Sequence, residues 1–104
     1  SKYSLILTAT GSMLTREVDI DFSANWVSLQ FYRNEQGRLR FGKIGDMSLF
    51  DVETGAQERY FVYKGQIIQF KERRFEVLDL SLNTSFRSMP GTTNHSITIG
   101  KLRA

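Results

Sequence analysis

The 104-residue sequence has no cysteine, one proline (Pro90), one histidine (His95) and only 4 alanines. The absence of cysteine excludes a disulfide scaffold, a thiol nucleophile and any cysteine-based zinc site. The lone His95 is flanked by Asn94 and Ser96. Nothing in the sequence brings a carboxylate beside it, so it reads as an exposed loop histidine rather than a triad or metal member. Scarce alanine argues against a helical bundle, while abundant Val, Ile, Thr and aromatic residues suit a pleated, half-buried surface. No apolar run approaches the roughly 18 residues of a transmembrane helix. Ser1-Lys2-Tyr3-Ser4 leads into a strand-like stretch rather than a secretory h-region. The expectation is a cytoplasmic or virion protein with no secretion or membrane signal, and its length suits one domain with a real core.

What charge there is alternates along the chain. Net charge is +3, from 14 basic and 11 acidic residues, and all of the excess lies after residue 79, in Arg87, Lys101 and Arg103. Arg38, Arg40 and Lys43 form a basic patch that Asp46, Asp51, Glu53 and Glu58 answer directly. Such alternation suits an ordinary solvated surface, and it also suits complementary faces on neighbouring subunits. A dedicated nucleic-acid binder usually carries a stronger basic excess.

Apolar residues recur with period two. Tyr3, Leu5 and Leu7 alternate with Ser4, Ile6 and Thr8, and Val18, Ile20 and Phe22 alternate with Glu17, Asp19 and Asp21. The second set predicts a strand with Asp19 and Asp21 on its wet face. Ser23-Ala24-Asn25 breaks that strand, and Val27, Leu29 and Phe31 begin the next. Asn34-Glu35-Gln36-Gly37 predicts a hairpin loop with Gly37 at positive φ, and Leu39 and Phe41 return from it. By parity Phe31, Leu39 and Phe41 belong to the core-facing set. Gly42-Lys43-Ile44-Gly45-Asp46 reads as another turn, as do Glu53-Thr54-Gly55-Ala56, Lys64-Gly65 and Lys71-Glu72-Arg73-Arg74. A helix between Asp46 and Glu58 is the alternative to a short strand there. Along Phe75–Leu80 the alternation slips, which a β-bulge near Val77-Leu78 would repair.

From Ser81 to Ser96, 11 of 16 residues are Ser, Thr, Asn, Gly or Pro. The stretch predicts a long loop or extended arm, with Ile97 and Ile99 in a short terminal strand that could pair in cis or in trans. The organisation expected is thus one domain, with a β core over residues 1–80 and a polar loop or arm over 81–104. The fold class is all-β, a small antiparallel β-sandwich or closed β-barrel of about eight to nine short strands.

No catalytic residue, metal ligand or cofactor site is indicated. Gly42-Lys43-Ile44-Gly45 matches the GxxG loop of KH domains in form, but strands rather than helices are expected around it. The function expected is a non-enzymatic structural subunit of a multi-chain particle, virion or phage-tail-like. Its partners would be copies of itself or other protein subunits. Candidate partner contacts are Arg38, Arg40, Lys43, Arg87, Ile97, Ile99 and Lys101. The alternative is a small OB-like barrel binding single-stranded nucleic acid through Tyr32, Arg38, Arg40 and Lys43. Parity counts against it, because with Phe31 and Phe41 in the core only Tyr32 is left to stack on bases.

Overall fold

Strand formation dominates the chain. The computed structural model describes residues 1–11, 15–17, 19–83 and 94–104, and the side chains of 15–17 are not among what it describes. Eight strands are present among these residues: β1 (Tyr3–Thr10), β2 (Thr15–Glu17), β3 (Ile20–Arg33), β4 (Leu39–Asp51), β5 (Gln57–Val62), β6 (Ile67–Phe70), β7 (Arg73–Leu82) and β8 (His95–Leu102). They form two four-stranded sheets, ordered β1-β8-β7-β6 and β2-β3-β4-β5, and every pairing is antiparallel. Two separate sheets rule out the closed barrel, and residues 46–58 form strand and turn rather than helix. No helix among the described residues is long and apolar enough to cross a membrane.

The inward faces of both sheets supply one core. Leu7 and Ala9 (β1), Phe75, Val77 and Leu80 (β7) and Ile97 and Ile99 (β8) meet Ile20, Phe22, Ala24 and Val27 (β3) and Met47 and Leu49 (β4). β8 is therefore no arm. It lies between β1 and β7, pairing Ile97 with Ala9 and Leu80 and Ile99 with Leu7 and Val77. Ile97 and Ile99 are fully buried, which removes them as contacts to a partner. The expected boundary at residue 81 is corrected accordingly: β7 continues to Leu82, and residues 95–102 belong to the core. The short terminal strand expected at Ile97 and Ile99 is present and longer, alternating Ser and Thr outside with Ile inside, and it pairs in cis. Arg87 lies outside the described residues.

Other departures have local causes. The period-two run at 17–22 contains a reversal, since Glu17 pairs with Ile20 and Asp19 sits in the intervening turn. The expected break at Ser23-Ala24-Asn25 is a β-bulge within a continuous 14-residue strand. The expected turn at 42–46 is the middle of β4. His95 is buried, not exposed. Its Nε2 donates to the Ala24 carbonyl at 2.8 Å, tying β8 to β3 across the core beside the bulge. The expected bulge near Val77-Leu78 is present as a register shift between Val77 and Asp79. The Asn34–Gly37 loop also forms as expected: Gly37 has φ 75°, and Asn34 Oδ1 accepts from the Gln36 and Arg38 amides.

At the end of the molecule away from that loop, ion pairs join the sheets. Arg73 of β7 meets Asp19 at 2.6 Å, and Lys71 meets Asp51 at 3.0 Å. Asp19, Asp51 and Glu53 bring carboxylate oxygens within 4.8 Å of one another, and the two cations offset the charges of Asp19 and Asp51. The clasp hangs on a strained turn, because Lys71 and Glu72 have φ of 48° and 66° with no glycine at either place. Left-handed backbone at a non-glycine residue costs about 1–2 kcal/mol. Lys71 is held there by Asp51 and by Thr54 Oγ1, whereas Glu72 is exposed. Glu72→Gly is therefore expected to stabilise the fold by about 1 kcal/mol in urea unfolding. Lys71→Gly should gain less or lose stability, since relief of strain is offset by loss of the clasp.

Candidate interaction surfaces on the long hairpin

β3 and β4 pair from Ile20↔Asp51 out to Arg33↔Leu39, which makes a hairpin longer than the sheet opposite it. Val27↔Gly45 is the last core-facing pair that the other sheet covers. Val27 is buried, and a Cβ on Gly45 would stand 2.8 Å from Ile97 Cδ1 and 2.9 Å from Leu80 Cδ2. Glycine here admits the opposing side chains, a role that sequence punctuation alone reads as a turn.

Past that pair the same face continues through Leu29↔Lys43, Phe31↔Phe41 and Arg33↔Leu39. The second sheet reaches it only at Lys43, which borders a small pocket with Asp79 and Leu80 of β7, and leaves the apolar side chains uncovered. Leu29 is 55% exposed, Phe31 67%, Leu39 58% and Phe41 62%. The parity reading placed these residues on the correct face and wrongly in the core. The Phe31 and Phe41 rings pack on each other, with centroids 4.9 Å apart. The strand edges are bare too. β5 pairs with β4 only over Gly45–Phe50 and β2 with β3 only over Ile20–Phe22, so no described strand flanks β4 over 39–44 or β3 over 26–33.

The candidate cations divide between places. Arg38, Arg40 and Lys43 all lie on the hairpin, and their side chains form no ion pair among the described residues. Arg33 joins them, a residue the sequence reading left out, and its Nη1 donates to the Gly37 carbonyl at 2.8 Å. Lys101 is far from this group, in a cleft with Arg73, Arg74 and Arg103. Tyr32 is half-buried. Its ring stacks on Tyr63 at 5.2 Å and 19°, on the face of the sheet opposite Phe31.

The outward face near the bulge carries an unusual residue for a strand, the fully buried Asp46. Arg59 on the neighbouring β5 grips it with Nε at 2.9 and 3.0 Å and with Nη2, and Asn25 Nδ2 donates at 3.1 Å. Arg59 holds the Asp46 carboxyl below its ordinary range against the opposing pull of burial, and Asn25 and Trp26 add to the effect. The acidic half of the expected charge complementarity is thereby reduced. Asp46 and Asp51 are committed to Arg59 and Lys71, leaving Glu53 and Glu58 outward.

A carboxyl lowered by folding stabilises the protein above its unfolded pKa of about 4, and that stabilisation drains as pH falls through the folded value. Asp19, Asp51 and Glu76 are lowered likewise, by Arg73, Lys71 and Lys2. Unfolding free energy should therefore fall on acidification below about pH 4. Arg59→Met leaves Asp46 buried without its cation, so this variant should be less stable at pH 7 and lose less on acidification. Paired denaturant titrations at pH 7 and pH 3.5 would check both signs.

Comparisons of the chain with protein-family models, with curated proteins and with solved structures find no match.

Proposed function

We propose that this chain is a β-sandwich structural subunit of a multi-chain particle, virion or phage-tail-like, without catalytic activity of its own. It docks to neighbouring protein subunits through the projecting β3–β4 hairpin. The observation that supports this is the uncovered apolar face formed by Leu29, Phe31, Leu39 and Phe41. A two-stranded ribbon is marginal in water when isolated. One that presents clustered aromatics and two bare edges has the chemistry of a surface meant to be covered, by packing or by strand addition. The flanking arginines would set orientation and encounter rate more than affinity.

A second reading has an observation of its own. With Phe31 and Phe41 exposed on the face of Arg33 and Lys43, and Tyr32 on that of Arg40, the hairpin offers stacking faces among cations, as single-stranded nucleic-acid binding requires. The parity objection to this alternative therefore lapses. The small net charge still favours protein contacts.

Light scattering on a sizing column at low and high salt, with the 260 nm absorbance recorded, separates the readings. For the structural subunit, a defined multimer is expected to persist at high salt. Phe31→Ser combined with Phe41→Ser should dissolve it while leaving the melting temperature near that of the parent, since neither ring is in the core. A monomer carrying nucleic acid that high salt strips would support the second reading, and replacing Arg38, Arg40 and Lys43 by Ala should then flatten the salt dependence. A bare monomer in both conditions, whose solubility the double substitution leaves unchanged, would overturn the docking role.

A further inference from the structure

The reverse face of the hairpin is a separate surface. After the bulge, Trp26, Gln30 and Tyr32 point away from the core, opposite Asp46, Gly42 and Arg40. Across β4 they meet Phe61 of β5 and Tyr63, which follows that strand. Trp26 and Phe61 form one ring pair with centroids 5.9 Å apart, and Tyr32 and Tyr63 form the other. Between them lies an open groove of about 600 Å³, with Ile44 beneath and Gln66 and Arg33 at the sides. Its volume is within the range of small-ligand sites.

We propose that this groove binds a neutral, polyhydroxylated ligand, the pyranose units of an oligosaccharide. Charge argues first. Arg33 is the only cation in the lining, and Glu35, held to Tyr63 Oη at 3.3 Å, stands at the same rim. Arg59 lies over the Phe61 ring but is committed to Asp46. Arg40 stands opposite Tyr32 on this same face but is not in the lining, so the groove itself offers little to a chain of phosphates. Hydrogen bonding argues second. The Trp26 indole is turned toward Asp46 and the Tyr63 hydroxyl toward Glu35, so these two rings offer faces rather than donors.

Two side-chain amides keep spare capacity. Gln66 accepts the Tyr63 amide at Oε1, leaving Nε2 to donate, and Gln30 donates to Ser28 Oγ, leaving Oε1 to accept. A sugar hydroxyl donates and accepts, so it matches both. The aromatic faces, negative at their centres, suit the weakly positive C–H faces of a pyranose ring.

The single tryptophan makes the site readable. The intact chain would be titrated with oligosaccharides of glucose, galactose, mannose, xylose and N-acetylglucosamine, following Trp26 emission and saturation transfer to the sugar protons. Oligothymidylate and a proline-rich peptide would be run alongside. Saturable binding of at least one glycan is expected. Phe61→Ala and Tyr63→Ala should each weaken it about tenfold, close to 1.4 kcal/mol. Gln66→Leu keeps the rings, removes the amide and should weaken it comparably. Thermal melts would identify any variant that fails to fold. Phe61 and Gln66 lie outside the core, so those two variants keep the test valid if Tyr63→Ala does not fold. No binding by any glycan, a response to oligothymidylate or peptide alone, or wild-type affinity in both Phe61→Ala and Gln66→Leu would overturn the assignment.

Discussion

One extra residue, Asn25, decides which way the outer half of β3 faces. Before it, Ile20, Phe22 and Ala24 point into the core, and after it Val27 does, because the ladder to β4 skips from Ala24↔Met47 to Trp26↔Asp46. In a strand a one-residue shift exchanges the faces of everything beyond it. Leu29 and Phe31 therefore share the core's side, while Trp26 and Tyr32 take the other. The bulge is anchored by the residues it disturbs. Asn25 donates to Asp46 and to Ser48, each at 3.1 Å, and the neighbouring Ala24 carbonyl is satisfied by His95. A buried carboxylate needs its hydrogen bonds completed, so the Asp46 network and the bulge require one another.

From that choice the hairpin acquires two surfaces of different chemistry. The side continuing the core is apolar with unpaired cations beside it, which suits a macromolecular partner. The reverse side holds an aromatic, amide-bearing groove whose lining contains one cation, Arg33, which suits a small uncharged ligand. Both proposals draw on the same short length of ribbon and make different demands on it. Packing a neighbour against Phe31 and Phe41 leaves Trp26 and Phe61 open. Occupying the groove does not require the apolar side to be covered.

Much of the architecture was legible because period-two patterning and turn chemistry are local. The Asn34–Gly37 loop, the core side of β1 and the slip at Val77 can all be read from neighbouring residues. What could not be read depends on distance. Parity gives the face of Phe31 and Phe41, but whether a face is covered depends on how far the opposite sheet extends, and no window around residue 31 contains that length. Gly42 and Gly45 looked like turn residues for the same reason. Gly42 lies beneath the Tyr32 ring, and Gly45 admits Ile97 and Leu80, contacts that only the assembled sheets reveal. His95 was misread, and the length of β8 underestimated, because polar composition leading into a strand resembles a loop when only two isoleucines mark its inner face.

The two ends of the molecule are built to different specifications. At one, Lys71 and Arg73 cross from sheet to sheet, and Asp51 and Thr54 hold Lys71 in its left-handed conformation. At the other, the hairpin leaves the second sheet behind and is steadied by its own rings, Phe31 on Phe41 and Tyr32 on Tyr63. If stability alone governed the design, the ribbon would end near Gly45, where the last core contact is made. Each pair beyond it adds exposed apolar surface and unpartnered strand edge, both of which invite aggregation. A feature that is neutral or costly for the isolated fold finds its physical justification in what it touches, which is why the functional argument rests on the hairpin rather than on the core.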